Sequence, residues 1–207
     1  MKILTRALPA LMLTVLIAGC ATLFPRDEDE LQKFQEPRFT SQEPIQLKVN
    51  KVVATSEFMP TFTRPNVEHL FPVSIEKTAK TWANDHLKAA DFSSPKIAEV
   101  IIRDASVTEQ LEENTQLFNK DRVKYKATLN VVVRVSDPSN TSRAETEVTA
   151  WRELIIPADT DIADKEKYWN GMVDKLFEEF NAKMTANIHQ YLNMYVINQP
   201  LTPTYYQ

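Results

Sequence analysis

Residues 123–154 constrain the fold more tightly than any other stretch of this chain. Val123, Tyr125, Ala127, Leu129, Val131, Val133 and Val135 alternate with mostly polar neighbours, the period-two signature of a strand with one dry face. Asp137-Pro138-Ser139-Asn140 is turn chemistry. Ala144, Thr146, Val148, Ala150 and Leu154 resume the alternation on the return. The charges set the register. With Arg134 opposite Glu145 and Lys126 opposite Glu153, Val131 falls across from Val148 and Tyr125 across from Leu154, so opposite charges share one face and apolar groups the other. A slip of one residue would turn the apolar row to water. Arg152 is the misfit on the dry face and is expected at the core's margin.

A dry sheet face needs a cover, and two stretches have the period for it. Ser74 can cap a helix with Glu76 in its first turn, and Ile75, Ala79, Trp82, Ala83, Leu87 and Ala90 make one apolar stripe. Ser93-Ser94-Pro95 ends that segment. A second helix is predicted over about 162–195, capped by Asp161. Its stripe is Trp169, Met172, Val173, Leu176, Phe177, Phe180, Met184, Ile188, Tyr191 and Tyr195, and Glu179 and Lys183 on the wet face are spaced to pair. Ile45, Leu47 and Val49 read as a first strand, and Ala98, Val100 and Ile102 as another, with Ile97 and Ile101 on its far face. The predicted order is β-α-β-β-β-α: an α+β domain, a four-stranded mostly antiparallel sheet with two helices on one face. Residues 54–73 carry Phe58, Phe62 and Phe71 among Pro60, Pro65 and Pro72 and read as an ordered loop over the core, with partner binding as the alternative. Residues 108–121 are polar except for Leu111, Leu117 and Phe118 and read as a long loop.

The N-terminus has a different character. Lys2 and Arg6 precede the apolar run Leu8–Ala18, which is too short for a stable membrane span. Ile17-Ala18-Gly19-Cys20 resembles the bacterial lipobox: an aliphatic residue, two small residues and an acceptor cysteine. That resemblance implies cleavage before Cys20, a diacylglyceryl group on its sulfur and an acylated amino group, palmitate being a usual chain. An ordinary export signal with an incidental cysteine is the alternative. Cys20 is the chain's one cysteine, and an unpaired thiol is a liability in an oxidising compartment unless it is capped. In lipoproteins an Asp after the cysteine marks inner-membrane retention, so Ala21 points to the outer membrane. The expected layout is a signal peptide over 1–19, a lipidated tether over 20–44, a domain over 45–196 and a loose tail over 197–207.

The remaining composition mostly excludes. Removing Lys2 and Arg6 from the 24 Lys and Arg leaves 22 against 28 Asp and Glu, a poor match for nucleic acid or a bare anionic membrane. Beyond Gly19 the chain's other glycine is Gly171, so no glycine-rich loop exists to cradle a nucleotide phosphate. His69, His86 and His189 have no second His or Cys at metal-ligand spacing. No nucleophile elbow is present. No cofactor, metal or catalytic residue is expected, although a hydrolase built on two carboxylates in a cleft stays open.

The element order behind a lipobox and tether resembles the lipoprotein half of the outer-membrane lipopolysaccharide translocon. It is also similar to auxiliary lipoproteins of lipid-exporting ABC systems and to lipoprotein activators of cell-wall synthases. The likeness spans about 45–195 and is architectural, so no functional residue is carried over. It implies a non-enzymatic envelope lipoprotein, held to the membrane by its lipid, that binds a protein partner or a lipid. A purely structural lipoprotein is the alternative. The candidate contacts are Phe58, Phe62, Phe71, Leu117, Phe118, Ile188, Tyr191 and Tyr195, with Cys20 as the lipidation site.

Overall fold

The computed structural model describes residues 34–113 and 120–197. Cys20, Leu117 and Phe118 lie outside the described residues. The elements in chain order are β1 (Ile45–Leu47), β2 (Lys51–Ser56), α1 (Ile75–His86), β3 (Leu87–Ala89), β4 (Ile97–Asp104), β5 (Val107–Glu112), β6 (Arg122–Ser136), β7 (Arg143–Pro157) and α2 (Ile162–Tyr191). Short 3-10 turns fall at Glu68–Leu70 and Asn193–Tyr195.

The hairpin organises everything else. All fifteen residues of β6 pair antiparallel with β7, in the register that places Arg134 opposite Glu145 and Lys126 opposite Glu153. Arg134 Nε reaches Glu145 Oε2 at 2.9 Å and its Nη1 lies 3.8 Å from Glu99 Oε2 on β4, so one guanidinium ties three strands. Lys126 instead lays its ammonium over the Trp151 ring, 5.6 Å from the centroid. Arg152 lies at the core's edge, with Nη2 3.6 Å from Glu179 Oε2 on α2.

The sheet is mixed and has five strands, where four were expected. β4 and β5 share the other edge of β6: β4 pairs with Asn130–Ser136 and β5 with Arg122–Ala127. The lane jogs between them, where the Ser106 amide donates to Asp104 Oδ1 at 3.0 Å. Four lanes are therefore filled by five strands. β2 closes the far side parallel to β4. β5 occupies part of the predicted 108–121 loop. Its alternation is weak because it borders the sheet and stays half wet.

The first predicted strand took another place. Ile45–Leu47 pairs in parallel with β3, and Val196 bridges its other side. β3 also cuts α1 short: Leu87 is extended (φ −113°, ψ 131°), although sequence period put Leu87 and Ala90 on the helix. The Ala90 amide donates to the Leu47 carbonyl, 43 residues upstream, at 2.9 Å, a partner that helical period cannot reveal.

Both helices cover the inward row of the sheet. Tyr125, Ala127, Leu129, Val131, Val133 and Val135 join Ile75, Ala79, Trp82 and Ala83 of α1 and the α2 stripe in one buried cluster. Ser74 caps α1 through Lys77 N, and Asp161 caps α2 through Asp164 N. Trp82, fully buried, meets Phe180 edge-on at 4.9 Å and donates to Asn181 Oδ1 at 2.8 Å. His86 is buried and shares a 3.0 Å hydrogen bond with Thr185 Oγ1, and burial pushes its imidazole below the usual histidine range.

Residues 34–44, assigned to the tether by composition, lie along the helix layer. Arg38 donates twice to Asp85 of α1, at 2.7 and 2.8 Å, and the Phe39 amide reaches the same carboxylate at 3.2 Å. The Phe39 ring sits 5.7 Å from Phe177 of α2, and Asn181 donates to Gln42 at 3.0 Å. This strap crosses from one helix to the other.

Candidate functional site

The segment between β2 and α1 carries three of the sequence-named aromatics, and its backbone is held by the neighbouring strand. Asn66 bridges to Thr108, the Val67 amide donates to the Val107 carbonyl at 2.8 Å, and the Glu109 amide donates to the Pro65 carbonyl at 2.8 Å. Arg64 pairs with Glu109 at 2.7 Å. Asn66 Nδ2 closes the loop on itself through Thr61 Oγ1 at 2.7 Å. The loop is thus sewn to β5 by main-chain bonds, which do not depend on side-chain rotamers.

Its two ends go different ways. Phe71 is buried and stacks on Trp169, 4.8 Å between centroids and 16° between planes, with Tyr125 edge-on to both. Burial, with Glu109 beside it, pushes the Tyr125 hydroxyl up to about 12. Phe71 is therefore a core residue, which meets solvent as part of a cavity wall. Phe58 is half-buried against the same core. Phe62, by contrast, is 65% exposed at φ 56°, and Met59 (84%) and Leu70 (46%) are exposed with it. The left-handed backbone at Phe62 is strained for a side chain bearing a Cβ. It turns the ring to within 5.6 Å of His69.

Phe58, Phe62 and Phe71, together with Glu68, His69 and Glu76, line a cavity of about 190 Å³. Glu76 is engaged by Lys80 at 2.6 Å. Glu68 is not so provided: Oε2 is 3.5 Å from the Val107 amide, and Oε1 is buried with no hydrogen-bond partner among the described residues. A buried, unpaired carboxylate oxygen is costly to a fold. In the sequence Glu68 is only the immediate neighbour of His69, and nothing there distinguishes it from a solvated surface acid.

The other named contacts separate in the same way. Ile188 is fully buried under the sheet and is a core residue. Tyr191 is 56% exposed at the end of α2, and Tyr195 is half-buried against the core. α2 stops at Tyr191, short of the predicted 195, and Leu192 beyond it is fully buried.

A larger concavity, about 550 Å³, opens between the strap and α2 and is lined by Phe39, Gln42, Asp174, Phe177, Glu178 and Asn181 among others. Partial burial pushes the Asp174 carboxyl above its usual range. Asp174 and Glu178 leave one helix a turn apart, so both stand on the same wall. The lining residues of the strap are Pro37, Arg38, Phe39, Ser41 and Gln42, none of them acidic. Two carboxylates that flank a scissile bond must face each other across it, and this groove does not provide that. Among the described residues no His, Cys, Asp and Glu group is arranged to hold a metal, and no helix is long and apolar enough to cross a membrane.

No protein-family model matches the chain, and no curated protein is similar to it in sequence. Among solved structures, a minor lipoprotein of Acinetobacter baumannii aligns at 13% identity over 74% of this chain and 99% of its own, with a TM-score of 0.39. A Xanthomonas campestris protein of family DUF330 aligns at 11% identity over 74% and 92%, with a TM-score of 0.36. An uncharacterized lipoprotein B of Nitrosomonas europaea aligns at 14% over 76% and 96%, with a TM-score of 0.32. At these scores the likenesses assign neither a family nor an activity.

Proposed function

We propose that this chain is a lipid-anchored protein of the bacterial envelope, facing the periplasm from the outer membrane, that captures a protein partner without catalysing a reaction. Its place rests on Ile17-Ala18-Gly19-Cys20, with Cys20 as the acylated residue. Two or more acyl chains hold a body to a bilayer stably, at about 0.8 kcal/mol per buried CH₂.

The observation that carries the capture is the loop sewn to β5 with Met59, Phe62 and Leu70 turned outward. Exposed apolar side chains on a backbone already held in one shape bind with little further ordering cost. A merely core-covering loop has no use for a Phe that is mostly exposed at a strained φ.

The anchor is tested by Cys20→Ala in cells, followed by fractionation. The variant should leave the membrane fraction for the soluble periplasm. Retention of Cys20→Ala in the membrane would refute the anchor.

A further inference from the structure

We propose that the cavity walled by Phe58, Phe62, Phe71 and Glu68 is a socket for the ammonium or guanidinium end of a Lys or Arg side chain on the captured protein. The inference rests on the partner-capture reading of the same loop and adds the chemistry of the partner's anchoring residue.

Four observations converge on a cation. Aromatic rings form much of the wall, and ring faces attract organic cations at close range. Glu68 also lines the cavity, and among the described residues no Lys or Arg pairs with it, so it offers a carboxylate to an entering N–H donor that carries positive charge. Among the described residues Arg64 is engaged by Glu109 at 2.7 Å and Lys80 by Glu76 at 2.6 Å, so neither supplies that charge. The volume, about 190 Å³, falls below the roughly 300–1,000 Å³ of pockets that enclose whole small molecules. It suits the end of one side chain.

The surroundings favour a protein as the source of that cation. Met59, Phe62 and Leu70 are exposed on the same loop and offer apolar contacts to residues flanking a Lys or Arg, the arrangement in which a buried anchor is ringed by contacts that exclude water. The chain is itself acidic, with 28 Asp and Glu against 24 Lys and Arg, which favours encounter with a basic surface.

The full chain, purified in detergent, is titrated with n-butylguanidinium and followed by the backbone amide signals of residues 58–71, with sodium butyrate as the control. Saturable binding in the millimolar range is expected for the cation and none for butyrate. Glu68→Gln, which keeps the shape and removes the charge, should weaken binding about tenfold or more. Phe62→Ala removes an exposed wall of the cage, leaves folding intact and should weaken it as well. Absence of saturation by tens of millimolar butylguanidinium, or undiminished binding by Glu68→Gln, overturns the socket. Binding to phosphatidylethanolamine vesicles in place of butylguanidinium also overturns it, since the cation would then belong to a lipid headgroup. Capture of the partner from membranes by Glu68→Gln at wild-type level, while Met59→Asp with Phe62→Asp abolishes capture, defeats the socket alone and leaves the partner-binding loop standing.

Discussion

Two irregular segments border the core, and they are held by opposite means. The loop between β2 and α1 is fixed by backbone hydrogen bonds to β5 and by Phe71 seated on Trp169. The strap over residues 34–44 is fixed by side chains: Arg38 on Asp85, Phe39 against Phe177, and Gln42 with Asn181. Main-chain bonds to a strand form with the sheet and persist as long as it does. Exposed ion pairs contribute little and respond to salt and pH. The difference teaches that a segment rich in proline and aromatics can be as well determined as a strand, while one held by side chains depends on an ion pair and a ring contact with the helices beneath it.

That contrast can be broken or sharpened by experiment. The largest expected effect is Phe71→Ala. It should cost about 3–5 kcal/mol by the usual scale for a buried aromatic, read as a shift in the denaturant midpoint. A loss under about 1 kcal/mol would mean that the loop is not rooted in the core.

A smaller effect is expected from Asp85→Asn, which should speed amide exchange at Phe39 while leaving the amides of β6 protected. The hydrogen bonds from Arg38 hold the Asp85 carboxyl below its usual range. A depressed carboxylate contributes above its unfolded value and loses that contribution as pH falls through the folded one. The wild-type strap should therefore keep its protection down to about pH 4 and lose it below. In Asp85→Asn the strap should be weakly protected at every pH. Equal protection in both proteins would show that the ion pair does not hold the strap.

The smallest stability effect belongs to Met59→Asp combined with Phe62→Asp. Both side chains are exposed, so the change should stay within about 0.5 kcal/mol per site, while crosslinked capture of a membrane partner is lost. Capture unchanged by this pair would remove the loop as the contact.

Period and charge pattern specify these regions to unequal depths. Both helix caps and the Glu179–Lys183 pair were readable because each is a contact within one turn, and the structure has all three. Within the loop, the sequence marked Phe58, Phe62 and Phe71 alike, and only packing separates the buried ring from the exposed one. Ile188 shares its helical period with Tyr191, yet one is buried and the other exposed, because period gives the face of a helix and not where its cover ends. Glu68 could not be singled out, since the Val107 amide beside its Oε2 belongs to β5, 39 residues further along the chain.

The chain's own pattern determined the hairpin, its register, the α+β class and the helix starts. Those follow from periods of two and 3.6 and from neighbours a few residues apart. Tertiary structure alone decided that Ile45–Leu47 leaves the main sheet for β3, that Leu87 ends α1, that β4 and β5 share one lane, and that residues 34–44 lie on the helices. Each of those outcomes depends on a partner far along the chain, and a short apolar or polar run satisfies its backbone hydrogen bonds with whichever partner the completed core brings beside it.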